Sequence, residues 1–557
     1  MKKLLFTTIT IFILSNIFGQ TPNWRWAKSG VGYGSNGDEG RSVCTDKLGN
    51  TYITGSFTSP TIKFGSFTLT NASSYYDVYI VKYDSTGNVV WAKSAGGSDP
   101  DEGYAITTDD SGNILLTGVF YSSTITFGSF TLTNNGFGAY DIFLVKLSSS
   151  GNVLWANSSG GKNTDWVNGI CADDSGSVYL TGYFVSDTIS FGGIVMTQGN
   201  TGSAKYYVVK YNSSGNVIWA QTATGSNDVE GTAVSTDDSS NVYVTGIFQG
   251  SAVSFGSNTL SSAGLQDIFI IKYNHFGSIV WIKSIGGINP ENSTGLVSDK
   301  LGNVFVTGYY QSPSITFGSF TLIKTSASAD IYFVRYNNLG NVIWAKTSGG
   351  GSGMSCSISL DTLDNIYSSG SFSTNSISFS GITLNAPSNS TDKMFVAKYD
   401  SSGNALCALA LPSGGDDQNG VSADSYGNVF ITGDYMANPF VLGSDTLILT
   451  SLENVFVAKV KMNCLENNAI NQLKNESSFF VFPNPFSTQT VIQINEPFKN
   501  TILTIYNSQG QQVKQIKNIS GKTASLDRDN LPGGLYFLLI SQDNKIVSTG
   551  KLIIVDN

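Results

Sequence analysis

The phrase "DVYIVKYDSTGNVVWA" at residues 77–92 returns as "DIFLVKLSSSGNVLWA" at residues 141–156, and the chain keeps restating it at a nearly fixed interval. The tryptophans that close the phrase are Trp26, Trp91, Trp155, Trp219, Trp281 and Trp344, with Cys407 of "GNALCALA" in the seventh place, spaced 62 to 65 residues apart. A steady period of this length with several strand-like segments inside it means one supersecondary unit copied around a ring or along a rod.

Residues 103–159 show the unit: strand A "GYAITTD", turn "DSGN", strand B "ILLTGVF", a hairpin "TITFGSFTLT", strand C "DIFLVKL", turn "SSSGN" and strand D "VLWANS". Only 13% of residues are charged and 12% are aromatic, and Gly, Ser, Thr and Asn fill the spaces between short apolar runs, which is how an all-β chain with many tight turns reads. In the turns, Asp/Asn/Ser-x-x-Gly-Asn suits a type I turn followed by a glycine at positive φ, with the first side chain capping the turn's own amides. Strand A ends on Asp46, Asp109, Asp173, Asp237, Asp299, Asp361 and Asp424, and strand C carries Lys82, Lys146, Lys210, Lys272, Arg335, Lys398 and Lys459. Calcium wants about six or more oxygens, and one carboxylate per copy does not supply them. Both sets are expected to serve the unit as turn caps or pairing partners.

Seven copies of A, B and C can be counted, but strand D follows only six, because the last copy stops at "NVFVAKVKMN". The missing D strand stands at the other end, where "NWRWAKSG" has no A, B or C before it. A closed ring reconciles the two: Trp24 to Ser29 lie beside the last strand C and remove the edges an open array would expose. Trp24 and Trp26 are expected to share one face of that strand. The expected fold is all-β, a seven-bladed β-propeller over 21–463 closed by an N-terminal strand.

Copies such as "AITTDDSGNILLTGVF…DIFLVKLSSSGNVLWANSSGG" resemble the bacterial SBBP family of β-propeller repeats over about residues 26–461. The departure is length: the hairpin with Phe64-Gly65, Phe127-Gly128, Phe191-Gly192, Phe255-Gly256 or Phe317-Gly318 enlarges each unit. The resemblance implies a propeller and no particular activity.

The first twenty residues, "MKKLLFTTITIFILSNIFGQ", place Lys2 and Lys3 before an uncharged run and small Gly19 near its end, the pattern of a secretory signal peptide over 1–20. No cysteine near the cut suggests a lipoprotein anchor, and no later apolar run approaches the roughly 18 residues of a transmembrane span. Cys44, Cys171, Cys356, Cys407 and Cys464 are odd in number and lack CxxC spacing, which argues against a zinc site and a disulfide framework and makes them small apolar fillers. A net charge of −9 gives no positive field for a phosphate backbone, so nucleic acid is not an expected partner.

Residues 464–478, "CLENNAINQLKNESS", drop the repeat and read as a polar linker. A new strand pattern over 479–557 predicts a small β-sandwich of at least six strands. Its "FPNP" (Phe482, Pro483, Asn484, Pro485), "LPGGLYFLLI" (with Gly534, Leu535, Tyr536) and "GKLIIV" (with Lys551) resemble, in order, the C-terminal sorting domain of type IX secretion cargo. That resemblance implies the type IX machinery as partner and a secreted or cell-surface location at the outer membrane exterior.

His275 is the only histidine and sits in a turn, so Ser-His-Asp triads and His-rich metal sites are out of reach. Arg25, Arg41 and Arg335, the arginines that could grip a carboxylate as sialidase-type propellers do, are not expected to converge. The connections from D to A differ most between copies, and in a propeller they share a rim with the B-to-C segments. They carry Asp38, Glu39, Asp99, Asp101, Glu102, Asp165, Asp228, Glu230, Asp416 and Asp417, with Trp166 as the odd aromatic. Clustered carboxylates could hold a cation or a sugar, with the aromatic for stacking, although loops are also polar because they are wet. No cofactor is expected beyond a weakly held divalent cation. Two function classes fit: a binding or adhesion module with a glycan or protein ligand, and a secreted carbohydrate-active enzyme, which would need carboxylates about 5 to 10 Å apart in a closed pocket.

Overall fold

The computed structural model describes residues 22–33, 37–136, 138–198, 202–225, 227–349, 353–386, 393–411, 420–462, 464, 479–507, 511–542 and 545–556. The expected signal peptide and nearly all of the expected linker lie outside these residues. The chain divides into two compact units, Met1–Leu465 and Glu466–Asn557.

In the first unit each copy forms one antiparallel sheet in the order A-B-C-D. The first is Asp38–Thr45, Thr51–Phe57, Asp77–Tyr83 and Val89–Ala95. Strands B and C are buried along their whole length, because apolar side chains on both faces meet the neighbouring sheets. Seven such sheets follow one another, and each strand A contacts the next until the last, Gly420–Ala423, meets the first. The fold is an all-β propeller type.

The seventh sheet takes its strand D from the start of the chain. Asn23–Gly32 pairs antiparallel with Asn454–Lys461, placing Trp26 opposite Lys459. The same register sets Trp91 opposite Lys82, Trp155 opposite Lys146 and Trp344 opposite Arg335. A register shift between Trp24 and Trp26 separates the two tryptophans, contrary to the shared face expected. Trp26 enters the core against the first sheet, whereas Trp24 packs into the core between the sixth and seventh. The extra residue of a bulge turns the second ring away from the first.

Neighbouring sheets are joined by one repeated clamp. The indole N–H of Trp26, Trp91, Trp155, Trp219, Trp281 and Trp344 donates to a carbonyl in the C-to-D turn of the next sheet, at 3.1 to 3.4 Å. In most copies the strand C cation donates to that same oxygen: Lys82 Nζ and the Trp91 indole both reach Ser149 O, at 2.9 and 3.3 Å. Each ring lies on the turn's glycine. A Cβ on Gly87, at φ +87°, would sit 2.7 Å from the Trp26 ring, so the position needs glycine for both its backbone and its contact. The capping aspartates behave as the sequence suggests: Asp46 Oδ1 accepts from the amides of Leu48 and Asn50, and Oδ2 from the Tyr52 hydroxyl.

The clamp cannot form at the seventh junction, because the chain leaves the ring after strand C and no C-to-D turn faces the sixth sheet. Cys407 occupies the tryptophan position there and is bonded to Cys464, just past the last strand C. The reading of all five cysteines as apolar fillers is therefore corrected for this pair. Cys44 is free and buried and Cys171 free and half-buried, and the side chain of Cys356 lies outside the description.

The hairpins close the outer edge. The first, Thr61–Phe64 and Phe67–Thr70, pairs with the end of the preceding strand D, Gly30 opposite Phe64. The same extension occurs at Ala223–Phe255 and Ser348–Phe379. The phenylalanine of each Phe-Gly turn packs on an aromatic of strand C whether or not its hairpin pairs with a strand D, as Phe64 on Tyr79 at 5.1 Å and Phe127 on Phe143 at 4.9 Å.

Among its described residues the second unit has five strands, where six or more were expected. Its long strands Gln489–Asn507 and Gln512–Asp527 pair with register shifts along their length, so one strand serves two halves. Ile492 from one half and Leu503 and Ile505 from the other share a core with Leu526, Leu538, Ile540 and Leu552.

Removing the latch, residues 22–32, should lower the propeller's melting temperature sharply. Trp26→Ala alone, at a residue 5% exposed, should cost about 3 to 5 kcal/mol. Replacing Cys407 and Cys464 together by serine should cost on the order of 4 kcal/mol from the chain-entropy estimate for a 57-residue separation. Thermal melts read both, and unchanged transitions would contradict this closure.

Candidate functional site

The D-to-A connections and the B-to-C segments share one face, as their hydrogen bonds show. Asp101 N donates to Tyr76 O at 2.7 Å, Tyr121 N to Pro100 O at 2.9 Å and Asp165 N to Tyr140 O at 2.8 Å. The acidic residues of that face divide into two groups with different surroundings.

Asp38, Asp101 and Asp165 are fully buried and bound to the rim's own backbone. Asp101 Oδ1 accepts from the amides of Tyr121 and Ser122, and its Oδ2 from the Ser122 hydroxyl at 2.8 Å. Asp38 and Asp165 repeat this on Ser59 and Ser186. Burial is the main force on these groups, pushing Asp38 up to about 6, Asp101 to about 7 and Asp165 to about 6 against the hydrogen bonds that favour ionisation. A second carboxylate, at the start of strand C in the preceding sheet, faces two of them. Asp77 adds to the shift of Asp101, and Asp165 to that of Asp141, which burial pushes up to about 7. Asp77 Oδ1 and Asp141 Oδ1 are buried without a partner. Asp267 and Glu291 form a third such pair, which the sequence analysis did not single out.

Glu39, Glu102 and Trp166 stand one residue further on, outside the lining of the channel cavity but in contact with Arg41 and Tyr104, which belong to it. The pairing of strand A with strand B shifts register at one place in six sheets, and the extra residues there are Arg41, Tyr104, Asn168, Thr232, Thr294 and Cys356. A bulge re-aims a side chain without breaking the sheet around it. Arg41, Tyr104, Asn168, Thr232 and Thr294 line a channel cavity of about 500 Å³. Arg41 Nη2 donates to Glu39 at 2.6 Å and to Glu102 at 2.7 Å, and its guanidinium lies 4.2 Å from the centre of the Tyr104 ring. Burial disfavours the Arg41 charge, yet Tyr104, Glu39 and Glu102 outweigh it and hold the group charged. The Tyr76 hydroxyl donates to Glu39 at 2.9 Å, and the Tyr104 hydroxyl to Glu102 at 3.2 Å. Half-buried Trp166 meets Tyr104 and Tyr140 edge-on, with ring centres 5.1 and 5.3 Å away.

The expected arginine trio does not converge, but Arg41 alone becomes the hub of two carboxylates. Glu230 is half-buried near Tyr183, whose phenol it helps push up to about 12, after burial. Asp228 accepts from Ala204 N and Gln249, and half-buried Asp99 accepts from the Ser98 hydroxyl while its own N–H donates to Ser122 Oγ, both outside the Arg41 cluster. Asp416 and Asp417 lie outside the described residues. Among the described residues no group of three or more His, Cys, Asp or Glu side chains could hold a metal ion. The bulge residues were missed. Their signal was variation within an otherwise constant strand: "EGR", "EGY", "WVN", "EGT" and "NST" at one place in the repeat.

In the second unit Asn484 joins two of the three tail motifs, its Nδ2 donating to Lys551 O at 2.9 Å and its Oδ1 accepting from Ile553 N at 2.8 Å, and the third, "LPGGLYFLLI", pairs with the strand that holds Lys551. Phe482, Pro483 and Pro485 are exposed beside it. Tyr536 is buried and donates to Pro532 O, while Leu535 is 42% exposed.

Residues 480–555 match the secretion system C-terminal sorting domain. The chain is therefore exported by type IX secretion, to the cell surface or beyond it. No helix among the described residues is long and apolar enough to cross a membrane. The chain is similar to the uncharacterized WD repeat-containing protein L264 of Acanthamoeba polyphaga mimivirus, 24% identical across 78% of this chain. The match spans 38% of that relative's length. Among solved structures, a fungal alcohol oxidase of the AA5 family in complex with copper aligns with a TM-score of 0.36 and 11% identity, over 96% of this chain and all of its own. PorZ, a surface component of the type IX secretion system of Porphyromonas gingivalis, aligns with a TM-score of 0.17 and 10% identity, over 95% of this chain and all of its own.

The rim carboxylates set the pH dependence of the ring. Groups held at about 6 to 7 when folded bind protons that the unfolded chain, with carboxylates near 4, releases. Stability should therefore rise as pH falls from 8 to 5, a window above the range where the depressed Asp109 and Asp173 titrate. Melts across that range, with Asp77→Asn flattening the slope, test this; a melting temperature constant or rising toward pH 8 would contradict it.

Proposed function

We propose that this chain is an exported binding module in which a rigid ring, residues 21–463, presents a ligand site at its channel mouth. A linker over 464–478 joins it to the sorting tail, 479–557. The observation that carries the reading is the Glu39–Arg41–Glu102 cluster with its ring of tyrosines and Trp166. It is built from the residues that differ between copies of a unit otherwise repeated for structure. Loops and bulges on a constant frame are where binding residues concentrate.

The geometry supports binding over turnover. A glycosidase needs one carboxyl free to give a proton and another free to act as base or nucleophile. Here both carboxylates are engaged by the same guanidinium, at 2.6 and 2.7 Å. The purified chain incubated with neutral and acidic oligosaccharides should release no new reducing ends, and steady release abolished by Glu102→Gln would establish the enzyme instead.

The tail acts as an address and adds nothing to the ring, whose edges are closed by its own first strand. Deleting residues 479–557 should leave the propeller's melting transition in place while the chain stays in the periplasm of a host with type IX secretion. Surface display of the truncated chain would defeat the sorting role, and loss of the transition would defeat the boundary.

A further inference from the structure

The face opposite the rim carries the A-to-B turns, which follow the channel-lining strands and so surround the other end of the channel. All seven turns are built alike: an aspartate ends strand A, and its Oδ1 accepts from the amide two residues on, at 2.9 to 3.0 Å. The residue at that amide is exposed in every sheet. In the second, third and fourth sheets it is Ser111, Ser175 and Ser239, whereas in the fifth, sixth, seventh and first it is Leu301, Leu363, Tyr426 and Leu48. These four are 76%, 78%, 70% and 82% exposed. The turn closes as well on serine as on leucine, so the fold does not ask for the apolar residues. The sheets that carry them are consecutive round the ring, which makes one apolar arc rather than scattered side chains. The C-to-D turns stand beside these, a Cβ on Gly302 falling 3.3 Å from Asn338 Cβ, and in the fifth and fourth sheets they add exposed Leu339 and Phe276.

Charge follows the same division. The residue before the tip is Lys300 at one end of the arc and Lys47 at the other, with Thr362 and Ser425 between them, but it is Asp110, Asp174 and Asp238 in the three serine sheets. Lys47 and Asp110 meet at 2.9 Å where the two halves join. A second copy is a poor match, because a two-fold axis through the middle of the arc would lay Lys300 on Lys47 and Asp110 on Asp238. A boundary between headgroups and acyl chains suits both features. Tips at one turn position of a repeated unit stand at one level, so they enter a flat surface together. Leucine and tyrosine are at home at that depth, and the lysines beside them stay among anionic headgroups. The acidic half is repelled by the same charge, which sets the ring down on the arc. The sorting domain marks the chain for the cell surface or beyond it, and the last strand C, Asn454–Lys461, ends on this face, so the chain leaves the ring within the arc.

We infer that the arc Leu301, Leu363, Tyr426 and Leu48 seats the ring on an anionic lipid surface, its tips entering the boundary and Lys47 and Lys300 meeting the headgroups. This contact is independent of the channel mouth, which it leaves facing away from the lipid. Residues 21–557 are mixed with vesicles of phosphatidylcholine alone, or of phosphatidylcholine and phosphatidylglycerol in equal parts, and floated on a density gradient. The chain should float with the mixed vesicles and far less with the neutral ones. Each single Leu→Ser in the arc should weaken binding about tenfold, the size of one buried leucine given up. Leu48→Ser, Leu301→Ser, Leu363→Ser and Tyr426→Ser together should abolish it. Lys47→Asp with Lys300→Asp should weaken binding to the mixed vesicles about tenfold or more. These changes copy what the second to fourth sheets already carry, so every variant should melt within a few degrees of the parent. Leu265→Ser, at an exposed leucine of the opposite face, should leave flotation unchanged. A parent chain that floats with neither vesicle, or a fourfold variant that floats as the parent does, would overturn the inference. Equal flotation with both vesicles would overturn the selection for negative charge. A parent dimer that the fourfold variant splits, with no flotation, would make the arc an interface between copies and overturn the lipid surface.

Discussion

A single carbonyl in each C-to-D turn, receiving the indole N–H and in most copies the strand C cation of the sheet before it, ties the ring together. Sheets in a propeller meet only face to face, and apolar packing alone fixes neither their spacing nor their order. The clamp adds direction: it reaches from one sheet into one place on the next, and it forces glycine at the turn position on which the indole lies. The strand C cation is in turn set by the aspartate that ends strand A, as Lys146 with Asp109 at 2.9 Å. Four residues of the repeat thus constrain one another across two sheets, and this is why they recur together.

Closure follows from the same interaction. The first and last segments of the repeat region form one sheet in the register used elsewhere, so Trp26 clamps the first sheet as Trp91 clamps the second. One junction has no turn to receive a clamp, and there the chain uses a covalent bond between Cys407 and Cys464. The frame's strands, turns and clamps repeat from sheet to sheet, while the residues at the channel mouth change from one sheet to the next. Arg41, Tyr104 and Asn168 occupy equivalent bulges with different chemistry, whereas Thr232 and Thr294 repeat one contact, each hydroxyl donating to a strand B carbonyl. The acidic rim is less free. Asp38, Asp101 and Asp165 hold the B-to-C connections in place and have no capacity left for a ligand.

The period, the strand order, the latch and the sorting tail were all legible, because each rests on local pattern repeated or on motifs of fixed order. The role of the paired aspartates and lysines was legible for the same reason. What the sequence hid depends on which residues face one another across sheets. Cys407 and Cys464 are 57 residues apart and meet only because the ring closes between them. Arg41 could be seen only as one of three scattered arginines; that it would find Glu102 depends on the stacking of the first two A strands and on a one-residue bulge. Neighbouring acids in "DPDEG" looked alike, but strand alternation sends Asp101 to Ser122 of the rim and Glu102 to Arg41 of the first sheet. Trp24 and Trp26 were parted by another single-residue shift.

Ring closure by the first strand is the claim on which the rest stands, and native-state hydrogen exchange read by mass spectrometry tests it directly. Backbone amides of residues 23–30 should be protected to the same degree as those of residues 455–460, and the two segments should open together as one cooperative unit. Free exchange of residues 23–30 while 455–460 remain protected would show that the ring is closed by something else.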